Sequence, residues 1–304
     1  MNRDILDFLR SAGLSPADDA DYTSVLRDDG RIIATASRAG DIIKYIAVAP
    51  DKQGDNLTAH LITDIRKNAF QNGIGRLFVY TKPANRLIFE DLRFYTVAET
   101  SHILLMESVK SGINTYLNGL PAVTAGNNGA IVMNCDPFTN GHLYLVETAA
   151  RRCVHLYIFS VAAQRIELIK KATAHLNNVS VYGTGGYLVS RATFPDYFLN
   201  KITDATAVQC ELDAEIFNRY FVPRFGITMR FVGTEPLSPV TSEYNRILKQ
   251  RMPVTEVERL TLDGEPVSAG RVRQLYHTGA LSELQRLVPP ATLEYLSERG
   301  LINA

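Results

Sequence analysis

Asn134, Phe138, Thr139, Asn140, Gly141 and His142 lie close together, just after a short apolar run at 130–133, with Asp136-Pro137 between them. Leu143, Val146, Ala149 and Ala150 then recur at the spacing of one helix face. This order of residue types reads as a buried parallel strand, a polar turn and the start of a helix. Unpaired N–H groups and the positive end of the helix dipole make such a start a natural seat for a phosphate. Gly141 permits close backbone approach, and His142 offers a ring N–H to a phosphate oxygen. On spacing alone, His142 reads equally well as a helix-capping residue.

A second cluster, Val267-Ser268-Ala269-Gly270-Arg271-Val272-Arg273, opens a helix that continues through Leu275 and Tyr276. A hydroxyl at 268, free backbone donors and a guanidinium at 273 suit β- and γ-phosphates, because arginine binds such oxygens through a two-pronged fork. The plain alternative is two arginines on a solvated helix face. Between the clusters, Gly233, Thr234 and Glu235 close an apolar strand at 227–232, a place where main-chain groups read adenine and ribose, or where a strand simply turns. Gly183-Thr184-Gly185-Gly186 follows another strand and, by composition, is first of all a turn.

The elements that must position these residues alternate. Apolar strands at 130–133, 154–159, 178–182, 227–232 and 254–260 are separated by helices starting near 140 and spanning 164–173, 211–220 and 241–251. That alternation predicts a doubly wound parallel sheet whose ligand sits at the carboxyl ends of the strands. The tail, 280–304, reads as two short helices broken by Pro289-Pro290. The earlier part differs: a helix at 4–9, strands at 31–37 and 41–48, a helix at 55–70, a strand at 76–80, a helix from Pro83, and strands at 94–98 and 102–107. This is an α+β pattern with mixed or antiparallel pairing. The stretch 111–128 is rich in Gly, Asn and Pro, which sets the expected domains at 1–118 and 119–304.

Composition narrows the partners. Lys plus Arg and Asp plus Glu number 32 each in 304 residues, so no global field draws the chain to nucleic acid or an anionic membrane. Cys135, Cys153 and Cys210 fit no metal spacing and suggest reduced thiols. The N-terminus carries no apolar signal segment, and no run approaches the ~18 apolar residues of a membrane span. A soluble, cytoplasmic protein is expected.

The Pro-Phe-Thr-Asn-Gly-His run at 137–142 resembles the T/HxGH signature of the nucleotidyltransferase superfamily, and in the context NCDPFTxGH it resembles the citrate lyase ligases. The 267–273 cluster is similar to the superfamily motif ISSTxxR, with Ser268 and Arg273 in register, Ala269 as in the ligase branch, and Gly270 where Thr is usual. VGTEP at 232–236, GGYLVSRATFPDYFL at 185–199 and LFVYTKPANRLIFEDLRFY at 77–95 are similar to the corresponding ligase segments. VAPDKQGDNLTAHLI, after the strand ending at Val48, resembles the acyl-CoA loop of GNAT acetyltransferases. Gln53 matches that pattern, while Asn56 and Thr58 replace its glycine and final small residue.

The resemblance implies an α/β chain, with a GNAT-like α+β domain ahead of a Rossmann-like nucleotidyltransferase domain. It implies ATP-dependent activation of acetate as acetyl-adenylate. The acetyl group then passes to the CoA-derived thiol on the acyl carrier protein of citrate lyase, with release of AMP and pyrophosphate. Catalytic roles would fall to His142, Arg273 and Asn140. ATP would lie against Asn134, Phe138, Thr139, Gly141, Gly233, Thr234, Glu235, Ser268 and Arg271. The pantetheine arm of the carrier would lie against Val48, Gln53, Gly54 and Asn56. Mg²⁺ would bridge phosphate oxygens with no protein metal site. Two alternatives stand beside this: an adenylyltransferase acting on a phosphorylated acceptor of the phosphopantetheine or mononucleotide type, and a catalytically inactive regulatory partner, to which the departures at Asn56, Thr58 and Gly270 point.

Overall fold

The structure, a computed structural model, describes residues 1–304 apart from Asp18, Thr124, 189–193, Asp196, 200–204, 236–238, Asn303 and Ala304. The chain forms two compact units, Met1–Gly112 with Thr193–Glu215, and Ile113–Ala192 with Ile216–Ala304.

In the first unit, helix α1 (Arg3–Ser11) precedes strands β1 (Tyr22–Asp28), β2 (Arg31–Ala39) and β3 (Ile42–Val48). Helix α2 (Leu57–Gln71), β4 (Phe78–Thr81), α3 (Arg86–Asp91), β5 (Tyr95–Glu99) and β6 (Leu104–Glu107) follow. The six strands run in the order β1-β2-β3-β4-β6-β5, with β3 and β4 parallel and every other pair antiparallel. This is the mixed α+β sheet the sequence predicts. Leu61, Ile62, Ile65 and Ala69 recur on one side of α2 and bury against Ala34, Ala36, Ile43, Val79 and Phe94. Burying each of the larger side chains removes roughly 1.5–3 kcal/mol of unfavourable hydration, which holds the helix on the sheet.

β3 and β4 pair only at Ile42↔Phe78 and Ile43↔Val79. Two residues further on, Tyr45 takes the left-handed conformation with φ 54°, and the β2–β3 register shifts between Thr35 and Ser37. The two parallel strands therefore part, and a cavity of about 1120 Å³ opens, lined by Ile46, Val48, Tyr80, Thr81 and Asn85 among others.

The second unit carries α4 (Gly112–Asn118), β7 (Asn128–Met133), α5 (Asn140–Ala150), β8 (His155–Ser160), α6 (Ile166–Ala172) and β9 (Val179–Gly183). After α7 (Ala205–Ile216), of which 205–215 belong to the first unit, come a π turn and α8 (Val222–Phe225). The chain then forms β10 (Ile227–Gly233), α9 (Pro239–Arg251) and β11 (Val254–Val257). A small hairpin, β12 (Thr261–Leu262) and β13 (Glu265–Pro266), leads to α10 (Ala269–Thr278), α11 (Leu281–Leu287) and α12 (Pro290–Glu298). The sheet is wholly parallel in the order β11-β10-β7-β8-β9.

The first of these strands in the chain, β7, thus lies in the middle. β8 and β9 extend the sheet on one side, β10 and β11 on the other. A sheet that reverses its winding there leaves a crevice beyond the carboxyl end of β7, the usual place for a nucleotide in such folds. Ile131, Met133, Leu156, Ile158 and Phe231 from the strands pack with Val146, Ala149, Leu168 and Ile169 from α5 and α6.

Several elements differ from expectation. β1 and the β12–β13 hairpin are additional. α4 occupies part of the stretch read as a linker, with Ile113 and Leu117 buried one turn apart. The strand expected at 254–260 ends at Val257, and the helix expected at 211–220 begins at Ala205. Among the described residues, no helix is long and apolar enough to cross a membrane.

Candidate functional site

The turn after β7 is built tightly. Cys135 is buried with φ 52°, and Phe138 and Thr139 are almost wholly inaccessible. Thr139 is the N-cap of α5: its Oγ1 accepts from the His142 backbone N–H at 3.3 Å, while the Thr139 N–H donates to His142 Nδ1 at 3.0 Å. This reciprocal box fixes the imidazole and decides its tautomer. Because Nδ1 is the acceptor, the proton of the neutral ring sits on Nε2. The ring stacks on Phe138 with centroids 5.6 Å apart. Burial, reinforced by the nearby positive charge of Arg259, pulls its pKa down to about 4. At neutral pH His142 is therefore an uncharged donor whose Nε2–H has no partner among the described residues.

The second cluster lies against this turn. A methyl group added at Gly141 would stand 3.0 Å from the Val267 carbonyl oxygen, so the first turn of α5 and the residue leading into α10 approach as closely as a glycine allows. Ser268 is the N-cap of α10, and its Oγ accepts from Arg271 N–H at 3.2 Å. Two helix N-termini, far apart in sequence, are thus neighbours. Arg273 donates to the Asp136 main-chain oxygen and lies 3.8 Å from its carboxylate, which ties α10 directly to the turn after β7.

Other expected residues are held differently. Asn140 Nδ2 donates to the Arg286 carbonyl at 3.0 Å, which uses the amide to anchor α11. Arg271 pairs with Glu283 at 2.5 Å. Asn134 accepts twice from Arg165, through its main-chain oxygen at 2.7 Å and its Oδ1 at 2.8 Å. At the end of β10, Gly233 O accepts from the Asn245 amide at 3.0 Å, and Thr234 N–H bonds the Val257 carbonyl at 2.8 Å. The Glu235 carboxylate is buried against Arg259, whose own N–H and Nε bond the Thr234 hydroxyl and carbonyl.

Two arginines that the motifs did not single out, Arg165 and Arg259, therefore brace the site. Neither sits in a recognisable pattern. The only signal for them is that each follows closely on the carboxyl end of a strand of the parallel sheet, at Ser160 and Val257.

The donor set fits a polyphosphate: helix N-termini, neutral N–H and O–H groups and several guanidinia. Among the described residues no group of three or more His, Cys, Asp or Glu side chains comes together. The two carboxylates at the site, Asp136 and Glu235, are matched by guanidinia. In the first unit, Val48, Gln53, Gly54 and Asn56 all line the cavity between the parted strands. Asn56 precedes α2 with φ 58°, the left-handed conformation that a glycine usually supplies.

The profile of the citrate lyase ligase C-terminal domain matches residues 128–296, from the first residue of β7 to the last helix. The citrate (pro-3S)-lyase ligase of Klebsiella pneumoniae is 34% identical over 317 residues, covering 97% of this chain and 93% of that protein. The chain belongs to the citrate lyase ligase family. It is a ligase, and its fold is α/β.

The chain is also similar, at low identity, to parts of solved structures. One is a nicotinate-nucleotide adenylyltransferase homologue from Vibrio parahaemolyticus, with a TM-score of 0.37 and 14% identity, covering 58% of this chain and 95% of that one. Another, an N-acetyltransferase homologue from Lactobacillus plantarum, has a TM-score of 0.31 and 14% identity, covering 34% of this chain and 87% of that one.

Proposed function

We propose that this ligase activates acetate with ATP and passes the acetyl group to the thiol of a CoA-derived arm on the acyl carrier of citrate lyase. The observation that carries this reading is the juxtaposition of the Thr139–His142 box with the start of α10. Together these present two helix N-termini, one neutral ring donor and Arg273 to a single polyphosphate.

Acetate is already ionised at neutral pH and is its own nucleophile. A carboxylate oxygen attacks the α-phosphorus, the bond from that phosphorus to the β-bridging oxygen breaks, and pyrophosphate leaves with the electron pair. The ligase supplies position and charge. His142 Nε2–H donates to an α-phosphate oxygen. Arg273 and the free N–H groups of α10 hold the departing pyrophosphate, with Ser268 keeping the helix start in place. The end of β10 at Gly233 and Thr234 would border the nucleoside. Mg²⁺, when bound with ATP, would supply additional charge neutralisation.

The carrier's thiolate then attacks the acetyl carbonyl carbon, and AMP leaves as the carbon–oxygen bond of the mixed anhydride breaks. The cavity between β3 and β4 suits the arm. It is bordered by Val48, Gln53, Gly54 and Asn56, and it lies where two strands offer main-chain groups that do not pair with each other.

Exchange of labelled pyrophosphate into ATP tests the first half. Exchange that requires acetate supports the reading. Exchange that requires a phosphorylated acceptor instead, or no exchange with any acid, contradicts it.

A further inference from the structure

Arg165 closes the short turn after β8, beside β7 in the sheet. Its side chain is only 14% exposed. Nη1 donates to both the main-chain oxygen and Oδ1 of Asn134, and Nη2 meets the Asp136 carboxylate at 2.7 Å. Those two residues flank Cys135, which is buried in the left-handed conformation that a side chain rarely adopts. One guanidinium therefore straddles the least relaxed point of the turn and grips it from both sides. The main-chain oxygen that receives Arg273 belongs to Asp136, the far end of that grip.

We infer that Arg165 is a positioning residue of the nucleotide site, setting the direction of Arg273 through the 134–136 turn. An exposed ion pair would contribute little, but here the arginine side chain is itself largely buried and its bonds are forked across two residues. Three of its five N–H groups are held by Asn134 and Asp136, which fixes the plane of the guanidinium. Its effect on catalysis runs through the geometry it imposes, and displacing a catalytic group by about 1 Å costs on the order of 10²-fold in rate.

The inference rests on the second unit being the nucleotide site, and the test is a double-mutant cycle on the full chain. Acetate-dependent pyrophosphate exchange is measured for wild type, Arg165→Gln, Arg273→Ala and the double variant. Arg165→Gln is expected to lower turnover about 10- to 100-fold while leaving the KM for ATP within about threefold. In the Arg273→Ala background the same change should cost less than about threefold, because there is no longer a guanidinium to aim. Arg165→Lys keeps the charge but loses the planar fork. It should behave like Arg165→Gln, and it stands in for that variant if glutamine prevents folding.

Wild-type turnover in Arg165→Gln overturns the inference. So do losses that multiply in the double variant, which would mean that Arg165 acts independently of Arg273. If the wild-type chain supports no acetate-dependent exchange, it is the proposed reaction that fails. The cycle is then scored on ATP affinity by calorimetry, where additive losses again count against a positioning role.

Discussion

His142 forms two contacts that different substitutions separate. Its Nδ1 accepts from the Thr139 N–H at 3.0 Å, a structural bond that caps α5, while Nε2–H is the free donor assigned to the α-phosphate. Asparagine places an acceptor where Nδ1 lies but nothing where Nε2 lies. Glutamine reaches the Nε2 position with a neutral N–H but leaves the cap unfilled. Alanine removes both. Loss of the cap bond costs about 1 kcal/mol of stability. Loss of a preorganised donor to a developing charge costs about 10²–10³ in turnover.

His142→Asn should therefore melt close to wild type yet lose about 10²–10³ in pyrophosphate exchange. His142→Gln should be less stable by about 1 kcal/mol yet retain turnover within about tenfold. Thermal unfolding and exchange measured on the same preparations give both axes. If His142→Asn exchanges within about threefold of wild type, the assignment of Nε2–H to the reaction is wrong. Because burial holds the ring neutral down to about pH 4, the wild-type rate profile should show no limb near pH 6.5 that His142→Asn abolishes. Such a limb would mean that the ring acts as a cation.

Three further outcomes follow from the geometry. His142 has a folded pKa near 4, below the 6.5 of the free side chain, so the unfolded chain binds the proton first as the solution is acidified. Its contribution to stability is thus complete above about pH 6.5 and is lost progressively as pH falls towards 4, a decline that His142→Asn should flatten in pH-dependent unfolding. Gly141→Ala puts a methyl group 3.0 Å from the Val267 oxygen, and forcing the start of α10 away should cost about 1–3 kcal/mol and weaken ATP binding measured by calorimetry. Ile46→Trp, which fills the cavity between β3 and β4, should slow acetyl transfer to a pantetheine thiol at least tenfold more than it slows pyrophosphate exchange. Equal effects on the two rates would remove the cavity from the transfer step.

Much of the site was legible because its chemistry is local. The apolar run before Asn134, the Thr139 cap three residues ahead of His142, and Ser268 opening α10 all announce themselves within a few residues. The parts that escaped depend on tertiary placement. Arg165 and Arg259 matter because the sheet brings their loops beside β7 and β10, and nothing adjacent to them in the chain encodes that. Asn140 points to Arg286 because α11 packs there, a contact 146 residues away in sequence.

The three missed strands did carry a signal. Asp29-Gly30 and Asp263-Gly264 both have positive φ at each residue, the two-residue hairpin turn that Asp-Gly favours, and they join β1 to β2 and β12 to β13. Helix α4 was hidden by its composition: Gly112, Asn114 and Asn118 read as a linker, while Ile113 and Leu117 alone form the buried face.

The claim on which the account turns is that the N-termini of α5 and α10 hold one triphosphate. A crystal structure of the full chain with a non-hydrolysable ATP analogue tests it directly. The account predicts the α-phosphate within hydrogen-bonding distance of His142 Nε2 and the β- and γ-phosphates at Ser268–Arg273. A triphosphate bound away from either helix start, with His142 Nε2 facing no phosphate oxygen, would contradict it.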